Sequence, residues 1–150
     1  MTMLKVGDQV PDFISKDQDG TIIKLSDFQG KKLIVFFYPR ANTPGCTAEA
    51  CNLRDNYNSL KAAGYELLGV SEDSARKQTN FKNKYELPFP LLSDEDHTVI
   101  NAFGVWGPKK FMGREFEGIL RTTFLIDEDG VVERVIDKVK TKDHAAQILD

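Results

Sequence analysis

The run KLIVFFYP, residues 32–39, restricts the possible folds of this chain more than any other segment. From Leu33 to Tyr38 it is continuously apolar and rich in β-branched and aromatic residues. A strand that faces water on one side alternates polar and apolar residues, so an unbroken apolar strand is typical of a sheet covered on both faces. Pro39 has no amide hydrogen to donate and ends the run. The segment therefore predicts a central strand whose carboxyl end lies near a functional edge.

The segments around this run alternate between strand and helix patterns. A β-hairpin is predicted over residues 12–25, where alternating apolar residues flank the turn signal DQDG. A helix is predicted from Thr43 to about Ala63, because apolar side chains recur at helical spacing and Gly64 supplies a stop. The later predictions are a strand at 65–71, a polar helix at 73–85, an extended segment at 87–94, a short helix at 96–104, a glycine- and lysine-rich excursion at 105–121, an antiparallel hairpin at 122–137 and a final helix at 142–149. This alternation predicts an α/β protein.

The composition is that of an ordinary globular protein. Its 150 residues, 41% of them hydrophobic, suffice for a single domain over residues 1–150. Because 20 basic residues oppose 23 acidic ones without a long basic block, nucleic-acid binding is not expected. No apolar segment is long enough to span a bilayer, so we expect a cytoplasmic protein that does not bind membranes. In that reducing compartment two cysteines are more typical of catalysis, redox sensing or metal binding than of a permanent disulfide.

Both cysteines lie in the segment YPRANTPGCTAEAC. With Thr43 as the N-cap and Pro44 as the first helical residue, Cys46 becomes the third residue of the predicted helix. Unpaired backbone N–H groups and the positive end of the helix dipole favour a thiolate there, which is the nucleophilic form of cysteine. Gly45 would let a small substrate approach those amides closely. The alternative is that Cys46 is a small hydrophobic residue on the apolar stripe of the helix.

Cys51 lies five residues after Cys46, too far for a disulfide within an intact helix. The two Cα atoms would be about 8.7 Å apart by helix geometry, whereas a disulfide needs less than about 7 Å. Either the thiols never meet, or the first turns of the helix unwind so that Cys51 can cap an oxidised Cys46 as a disulfide. The plainer alternative is that Cys51 is only a packed helix residue.

Two other uses of paired cysteines fit the sequence less well. Zinc sites usually take four ligands in close pairs, and the only histidines, His97 and His144, lie far along the chain. A thioredoxin-type exchange site has two residues between its cysteines, whereas four intervene here. The spacing therefore disfavours both a metal site and a simple exchange dithiol.

Residues 38–55, YPRANTPGCTAEACNLRD, resemble the active-site segment of peroxiredoxins, specifically those of the bacterioferritin comigratory protein or peroxiredoxin Q group. The likeness continues through VGDQVPDF, LSDFQGKKLIVFFYP, GVSEDS, LPFPLLSD and GILRTTFLIDEDG, so it covers nearly the whole chain. The resemblance implies a thioredoxin-like fold. Together with the element pattern above, we expect a mixed central sheet with helices on both faces and an N-terminal β-hairpin.

The resemblance also implies a thiol peroxidase that reduces hydrogen peroxide and organic hydroperoxides. Cys46 would be the peroxidatic cysteine, and Cys51 the resolving cysteine that joins it in an intramolecular disulfide. Thr43 would offer its hydroxyl to the peroxide and the sulfur, and Arg121 would complete the site. A thioredoxin-like reductant would reopen the disulfide. No metal or organic cofactor is implied, because sulfur carries both electrons.

Three candidate site residues also have plainer explanations. Arg121 lies at a strand mouth, where α/β active sites gather, but a surface arginine is common at such a position. Glu49 would oppose a thiolate one turn away, so we expect it to orient Arg121, as the equivalent carboxylate does in the proteins that this one resembles. Otherwise Glu49 is a solvated residue that the helix dipole favours. Pro39 shields the sulfur from water, only ends its strand, or does both.

One segment departs from the family pattern. In GVWGPKKFMG the family more often has charged residues in place of Gly107-Pro108. This difference bears on partner contacts and on the oligomeric state, for which we expect a monomer or a weak homodimer, and not on the chemistry.

Overall fold

The computed structural model describes residues 2–150. In chain order its elements are β1 (Ile14–Lys16), β2 (Ile22–Lys24), a 3-10 helix (Leu25–Phe28), β3 (Lys32–Phe37), α1 (Pro44–Asp55), α2 (Tyr57–Ala62), β4 (Tyr65–Ser71), α3 (Ala75–Lys84), β5 (Leu91–Ser93), α4 (Thr98–Phe103), β6 (Trp106–Phe111), β7 (Arg114–Ile119), β8 (Thr122–Ile126), β9 (Val132–Ile136) and α5 (His144–Leu149).

β3 lies at the centre of a five-stranded sheet with the order β5-β4-β3-β8-β9. It pairs in parallel with β4 and antiparallel with β8, so the sheet is mixed. The predicted central strand is confirmed, and every residue from Leu33 to Phe37 is buried. The predicted hairpins are confirmed as well, since β1 pairs antiparallel with β2 and β8 pairs antiparallel with β9.

Each face of this sheet has its own hydrophobic core. Successive side chains of a strand point to opposite faces, so β3 contributes to both cores. Val35 and Phe37 pack on the side of α4. Ile34 and Phe36 pack on the other side, with apolar residues of α1, α2, α3 and α5. Helices therefore cover both faces, as predicted.

The helix predicted from Thr43 to about Ala63 is interrupted at Asn56, so its predicted continuity is wrong. Asn56 has φ −109° and ψ 14°, which separates α1 from α2. Its side-chain amide donates a hydrogen bond to the Asn52 carbonyl at 2.9 Å. Asparagine often competes in this way with the backbone for helical carbonyls. The apolar stripe continues across the break, which is why the pattern alone predicted one helix.

Residues 105–121, predicted only as an excursion, form a third hairpin. β6 and β7 pair antiparallel, with Phe111 opposite Arg114. The two connecting residues, Met112 and Gly113, have φ values of 52° and 78°. Positive φ at both central positions is the mark of a tight hairpin turn, for which Asn-Gly is the usual sequence signal. A methionine in the first position conceals that signal.

The sheet register brings the ends of β3 and β8 together. Phe37, the last residue of β3, lies opposite Thr122, the first residue of β8. The loop after β3 leads into α1, and Arg121 directly precedes β8. This is the edge at which the sequence predicted a functional site.

Within residues 2–150, no helix is both long and apolar enough to cross a membrane. The single domain over residues 1–150 stays a prediction.

Candidate active site

Cys46 lies at the amino end of α1, as the sequence predicted. Thr43 is extended and Pro44 opens the helix. The first helical hydrogen bond runs from the Thr47 amide to the Thr43 carbonyl at 2.8 Å. The amides of Gly45 and Cys46 precede that bond and have no helical acceptor of their own. The Cys46 side chain is nevertheless only 1% exposed, so its sulfur is shielded from bulk water.

Arg121 contacts both Cys46 and Glu49. One guanidinium nitrogen donates to Cys46 Sγ at 3.3 Å, and another donates to Glu49 Oε1 at 2.7 Å. Burial opposes the Arg121 charge, but the neighbouring Cys46 and Glu49 raise the pKa of the guanidinium above its ordinary value. Arg121 is thus a permanent cation held against the sulfur.

Gly45 makes room for this cation. A Cβ at Gly45 would lie 3.2 Å from the Arg121 terminal nitrogen, closer than an unstrained contact allows. The space over Gly45, which the sequence assigned to an approaching substrate, is therefore filled by the guanidinium. Gly45 serves the site by letting Arg121 approach the start of the helix.

Glu49 is completely buried one turn after Cys46. Its Oε1 accepts the hydrogen bond from Arg121, and its Oε2 has no hydrogen-bond partner among residues 2–150. Burial raises the pKa of Glu49 to about 7, although Arg121 acts in the opposite direction. A glutamate with such a pKa changes its charge near neutral pH. The alternative interpretation of the sequence, in which Glu49 is a solvated helix residue, is therefore wrong.

His144 is a site residue that the sequence reasoning missed. It opens α5 and is completely buried, with Nε2 3.5 Å from the free Oε2 of Glu49. Burial lowers the pKa of His144 below its ordinary value. On sequence grounds, His144 is considered only as a candidate metal ligand. A signal was present, since His144 shares a helix face with the apolar residues Ala145 and Ile148, and that spacing predicts burial.

Thr43 and Pro39 lie in the loop between β3 and α1. The Thr43 hydroxyl donates to the Arg40 carbonyl at 2.8 Å, so its hydrogen points to the loop rather than to the sulfur. Pro39 is half-buried and lines an open surface groove with Asp73 and Lys77. The structure thus brings Arg121 into direct contact with Cys46 and Glu49, whereas Thr43 bonds within its loop and Pro39 lines a separate groove.

Cys51 lies on the same helix in different surroundings. It is half-buried and lines a shallow groove together with Thr47, Ala48 and Tyr85. Both thiols are free, and α1 is continuous across them. The following residue, Asn52, joins α1 to α5: its amide nitrogen donates to the Lys142 carbonyl at 3.1 Å, and its oxygen accepts from the Ala145 amide at 2.8 Å.

Potential metal ligands do not converge in the part of the chain that the structure describes. There, no group of three or more histidine, cysteine, aspartate or glutamate side chains could hold a metal ion. The chemistry available at Cys46 is that of a buried sulfur with backbone N–H groups, a guanidinium and a carboxyl group around it. Such a site stabilises negative charge on the sulfur and on atoms next to it.

The sequence profile that describes the AhpC/TSA family matches residues 6–135. The chain belongs to the AhpC/TSA family. Peroxiredoxin Bcp of Escherichia coli (strain K12) is 52% identical over 150 residues, which cover 100% of this chain and 96% of that protein. Peroxiredoxin Bcp of Bacillus subtilis (strain 168) is 45% identical over 146 residues, covering 97% and 93% of the two chains.

A solved structure extends this relationship to three dimensions. The bacterioferritin comigratory protein of Xanthomonas campestris, studied for its alkyl peroxide reduction activity, superposes with a TM-score of 0.87. It is 35% identical, and the match covers 97% of this chain and 93% of that one. The thioredoxin-like fold and the peroxiredoxin Q group that the sequence indicated are confirmed. This AhpC/TSA family member is a peroxiredoxin, and peroxiredoxins are peroxidases, a class of oxidoreductase.

Proposed function

We propose that this peroxiredoxin reduces alkyl hydroperoxides and hydrogen peroxide through a Cys46 thiolate, and that Cys51 resolves the oxidised sulfur as an intramolecular disulfide. The observation that carries the proposal is the 3.3 Å contact between an Arg121 N–H group and the buried Cys46 Sγ at the start of α1. The alkyl peroxide reduction studied in the X. campestris relative supports the substrate class.

The first step is a displacement at the terminal peroxide oxygen. The Cys46 thiolate attacks that oxygen, so an S–O bond forms and the O–O bond breaks. Sulfur supplies both electrons and becomes a sulfenic acid, while the leaving alkoxide takes a proton and departs as an alcohol. Arg121 and the free amides at the helix start face the region where the negative charge moves from sulfur to oxygen. Charged donors that are already in place stabilise such a transition state without reorganisation.

The surrounding groups also hold the reaction in position. Glu49 fixes one side of the Arg121 guanidinium, which leaves its other side directed at the sulfur. The Thr43 oxygen, whose own hydrogen is bound to the Arg40 carbonyl, keeps lone pairs that can accept a hydrogen bond from the hydroperoxide O–H. Alignment of peroxide and sulfur then supplies a further part of the rate acceleration.

The second step requires a change in α1. Within the intact helix the Cα atoms of Cys46 and Cys51 are about 8.7 Å apart, which exceeds the reach of a disulfide. The first turn of α1, which begins at Pro44, must therefore unwind, and this releases Cys46 from Arg121. The Cys51 sulfur then attacks the sulfenic sulfur and water leaves. Asn52, which is bound to α5 directly after Cys51, marks where the unwinding stops.

A dithiol reductant of the thioredoxin type would complete the cycle. Its thiolate attacks one disulfide sulfur, and its second thiol then resolves the mixed disulfide. Cys51 is the better exposed of the two sulfurs and lies on the groove next to Tyr85, so we expect attack there. The cytoplasmic location, the monomeric or weakly dimeric state, and the absence of nucleic-acid and membrane partners stay predictions from the sequence.

Rapid-quench oxidation followed by mass spectrometry tests this cycle. The reduced protein is mixed with cumene hydroperoxide or hydrogen peroxide, and the modified peptides are identified over time. We expect a trapped sulfenic acid on Cys46 first and a Cys46–Cys51 disulfide afterwards. Cys51→Ser should accumulate the sulfenic acid without the disulfide. Oxidation that starts on Cys51, or no link between the two residues, would contradict the proposal.

A further inference from the structure

The buried His144 lies next to Glu49, and the proposed cycle leaves it without a role. Its ring is completely buried, and Nε2 lies 2.7 Å from Thr123 Oγ1 and 3.5 Å from Glu49 Oε2. Glu49 Oε2 is in turn the one buried side-chain oxygen or nitrogen without a hydrogen-bond partner in the chain from residue 2 to residue 150. A buried polar atom without a partner is costly, so this pair requires an explanation.

The hydrogen bonds of Gln147 determine which ring nitrogen of His144 carries a proton. Gln147 Oε1 accepts from the Lys140 amide at 2.8 Å, and its side-chain nitrogen donates to the Lys138 carbonyl at 3.0 Å. Because backbone groups have fixed roles, this orientation of the Gln147 amide is determined. His144 Nδ1, at 2.8 Å from the same Oε1, must therefore donate and carry a hydrogen.

The neutral His144 ring then directs a lone pair towards Glu49. With Nδ1 protonated, Nε2 is an acceptor and receives the Thr123 hydroxyl. An ionised Glu49 would place a carboxylate oxygen against this lone pair, with no hydrogen between them. One proton removes the conflict in either of two arrangements. On Oε2 it is donated to Nε2, and the Thr123 hydroxyl then turns its hydrogen away; on Nε2 it is directed at Glu49 Oε2 and Thr123 Oγ1, which both accept. The two residues are thus built to share a single proton.

The shared proton decides the charge balance around the sulfur. The groups that face Glu49 are Cys46 on its own helix, Arg121 before β8 and His144 on α5. Arg134 on β9 and Lys109 on β6 lie further out and act on His144 and on Cys46. When the pair holds the proton, the thiolate and the guanidinium balance each other. When the proton leaves, Glu49 competes with the sulfur for the charge of Arg121.

We propose that His144 is a positioning residue for the peroxide step: it shares one proton with Glu49 and thereby sets the charge of the carboxyl group that orients Arg121 against Cys46. The inference rests on the proposed function of Cys46. His144 touches neither the sulfur nor the substrate, so it acts through Glu49. Burial places the ionisation of Glu49 near pH 7, which makes the protonated pair the working form on the acidic side of neutrality.

Nuclear magnetic resonance tests the proton sharing independently of activity. The chain has two histidines, so the ring nitrogen spectrum contains two sets of signals, and His97→Gln assigns them. We expect His144 to be the Nδ1–H tautomer, with ring shifts that follow an ionisation near pH 7. Glu49→Gln should abolish that response. A neutral His144 with its hydrogen on Nε2, or an unchanged titration in Glu49→Gln, would overturn the proposal.

Kinetics of the peroxide step test the positioning role. In His144→Gln, an amide N–H can still donate to Glu49 Oε2 but cannot exchange a proton, so the ionised carboxylate is favoured. If the pKa of Glu49 drops by about one from about 7, the rate constant for Cys46 oxidation should fall by less than about twofold at pH 6, where at least half of the carboxyl groups keep the proton. It should fall about tenfold at pH 8.5, where the protonated fraction is about ten times smaller than in wild type. His97→Gln is the matched control, since its ring pairs with Glu72 on the surface, and its profile should follow that of wild type.

The outcomes separate the two proposals. If wild type is oxidised at Cys46 but the pH profile of His144→Gln superposes on it, only the role of His144 is withdrawn. If wild type is not oxidised at Cys46 at all, the proposed function fails, and the tautomer and its response to Glu49 still decide the proton sharing. A uniform loss of rate in His144→Gln at every pH would indicate a packing role and would also overturn the positioning role.

Discussion

Cys46 and Cys51 lie on the same helix but in opposite surroundings. Cys46 is almost fully buried and in contact with Arg121, whereas Cys51 is half-buried on an open groove. The first environment prepares a sulfur for attack by stabilising its negative charge. The second makes a sulfur available to a large partner. In the proposed cycle, the intact helix therefore keeps the two tasks apart, and a rearrangement of α1 connects them.

Serine substitutions at the two positions should produce the largest and most unequal effects. Cys46→Ser removes the nucleophile, so peroxide consumption should fall by at least about a thousandfold. Cys51→Ser should still be oxidised once by a stoichiometric amount of peroxide, at a rate within about threefold of wild type, because Cys51 does not contact the first site. Stopped-flow oxidation and turnover with a thioredoxin system measure the two steps. Equal defects in both would remove the distinction between the sites.

Replacement of Arg121 tests whether stabilisation of negative charge acts only in the oxidation of Cys46 and not in the later reduction of the disulfide. Arg121→Ala should slow Cys46 oxidation by about a hundredfold, as expected for the loss of one preorganised donor. The reduction of a preformed Cys46–Cys51 disulfide should change little. Arg76→Ala, which removes an exposed arginine on α3, is the matched control. A wild-type oxidation rate in Arg121→Ala would withdraw the role of the guanidinium.

The burial of Glu49 should be visible in the pH dependence of stability. The folded protein holds the Glu49 proton more tightly than the unfolded chain, because burial raises the pKa to about 7 from the ordinary 4.5. This contribution is therefore complete below about pH 4.5 and is lost as the pH rises through about 7. Relative to Glu49→Gln, the free energy of unfolding of wild type should fall by about 3 kcal/mol over that range, because each pH unit between the folded and unfolded pKa values contributes about 1.4 kcal/mol.

Chemical denaturation of both proteins at several pH values measures this difference. Glu115→Gln, on the exposed face of β7, reports the effect of removing a surface charge. A difference between wild type and Glu49→Gln that stays constant with pH would mean that Glu49 does not titrate in this range.

The tie between Asn52 and α5 should have a smaller effect, on the Cys51 side of the helix. Asn52→Ala removes both hydrogen bonds and leaves the Ala145 amide without its acceptor. The free energy of unfolding should fall by about 2 kcal/mol. Asn58→Ala, at an exposed position of α2, should change it by less than about 0.5 kcal/mol. Equal stabilities of the two variants would mean that Asn52 does not anchor the helix.

Thr43 should give the smallest effect. Because its hydroxyl hydrogen is bound to the Arg40 carbonyl, Thr43→Val should slow Cys46 oxidation by less than about fivefold, whereas a direct catalytic donor costs more. Thr43→Ser retains the hydroxyl and should match wild type. A loss of a hundredfold in the valine variant alone would show that the hydroxyl turns towards the substrate when peroxide binds.

Local patterns were enough to predict much of this molecule. The apolar run of β3, Pro44 at the start of α1 and the turn DQDG each specify structure through their immediate neighbours. The expected contact between Glu49 and Arg121 needed more, namely the resemblance to peroxiredoxins, because residues so far apart in sequence meet only through the order of the sheet strands. The structure has that contact at 2.7 Å.

The features that the sequence patterns did not predict also have physical reasons. The break at Asn56 depends on a side-chain amide that competes for one carbonyl, which apolar periodicity does not register. The role of His144 depends on which face of α5 packs against α1. The apolar residues that follow His144 predict its burial, but no spacing signal connects it to Glu49. The tight turn at Met112 adopts a left-handed conformation that is rarely associated with methionine.

The anchor at Asn52 also affects the energetics of recycling. In the proposed cycle, the disulfide form gives up the ordered helix start and its ionic contacts, while the chain beyond Asn52 keeps its place against α5. A reductant that opens the bond allows those contacts to form again, so part of the folding energy of α1 becomes driving force for reduction. The disulfide closes only a short loop of the chain, between Cys46 and Cys51. Its effect on the entropy of the unfolded chain is therefore small and compensates little for the contacts that the disulfide form has lost. In the proposed cycle, the refolding of the first turns of α1 thus favours the return of the enzyme to its dithiol form.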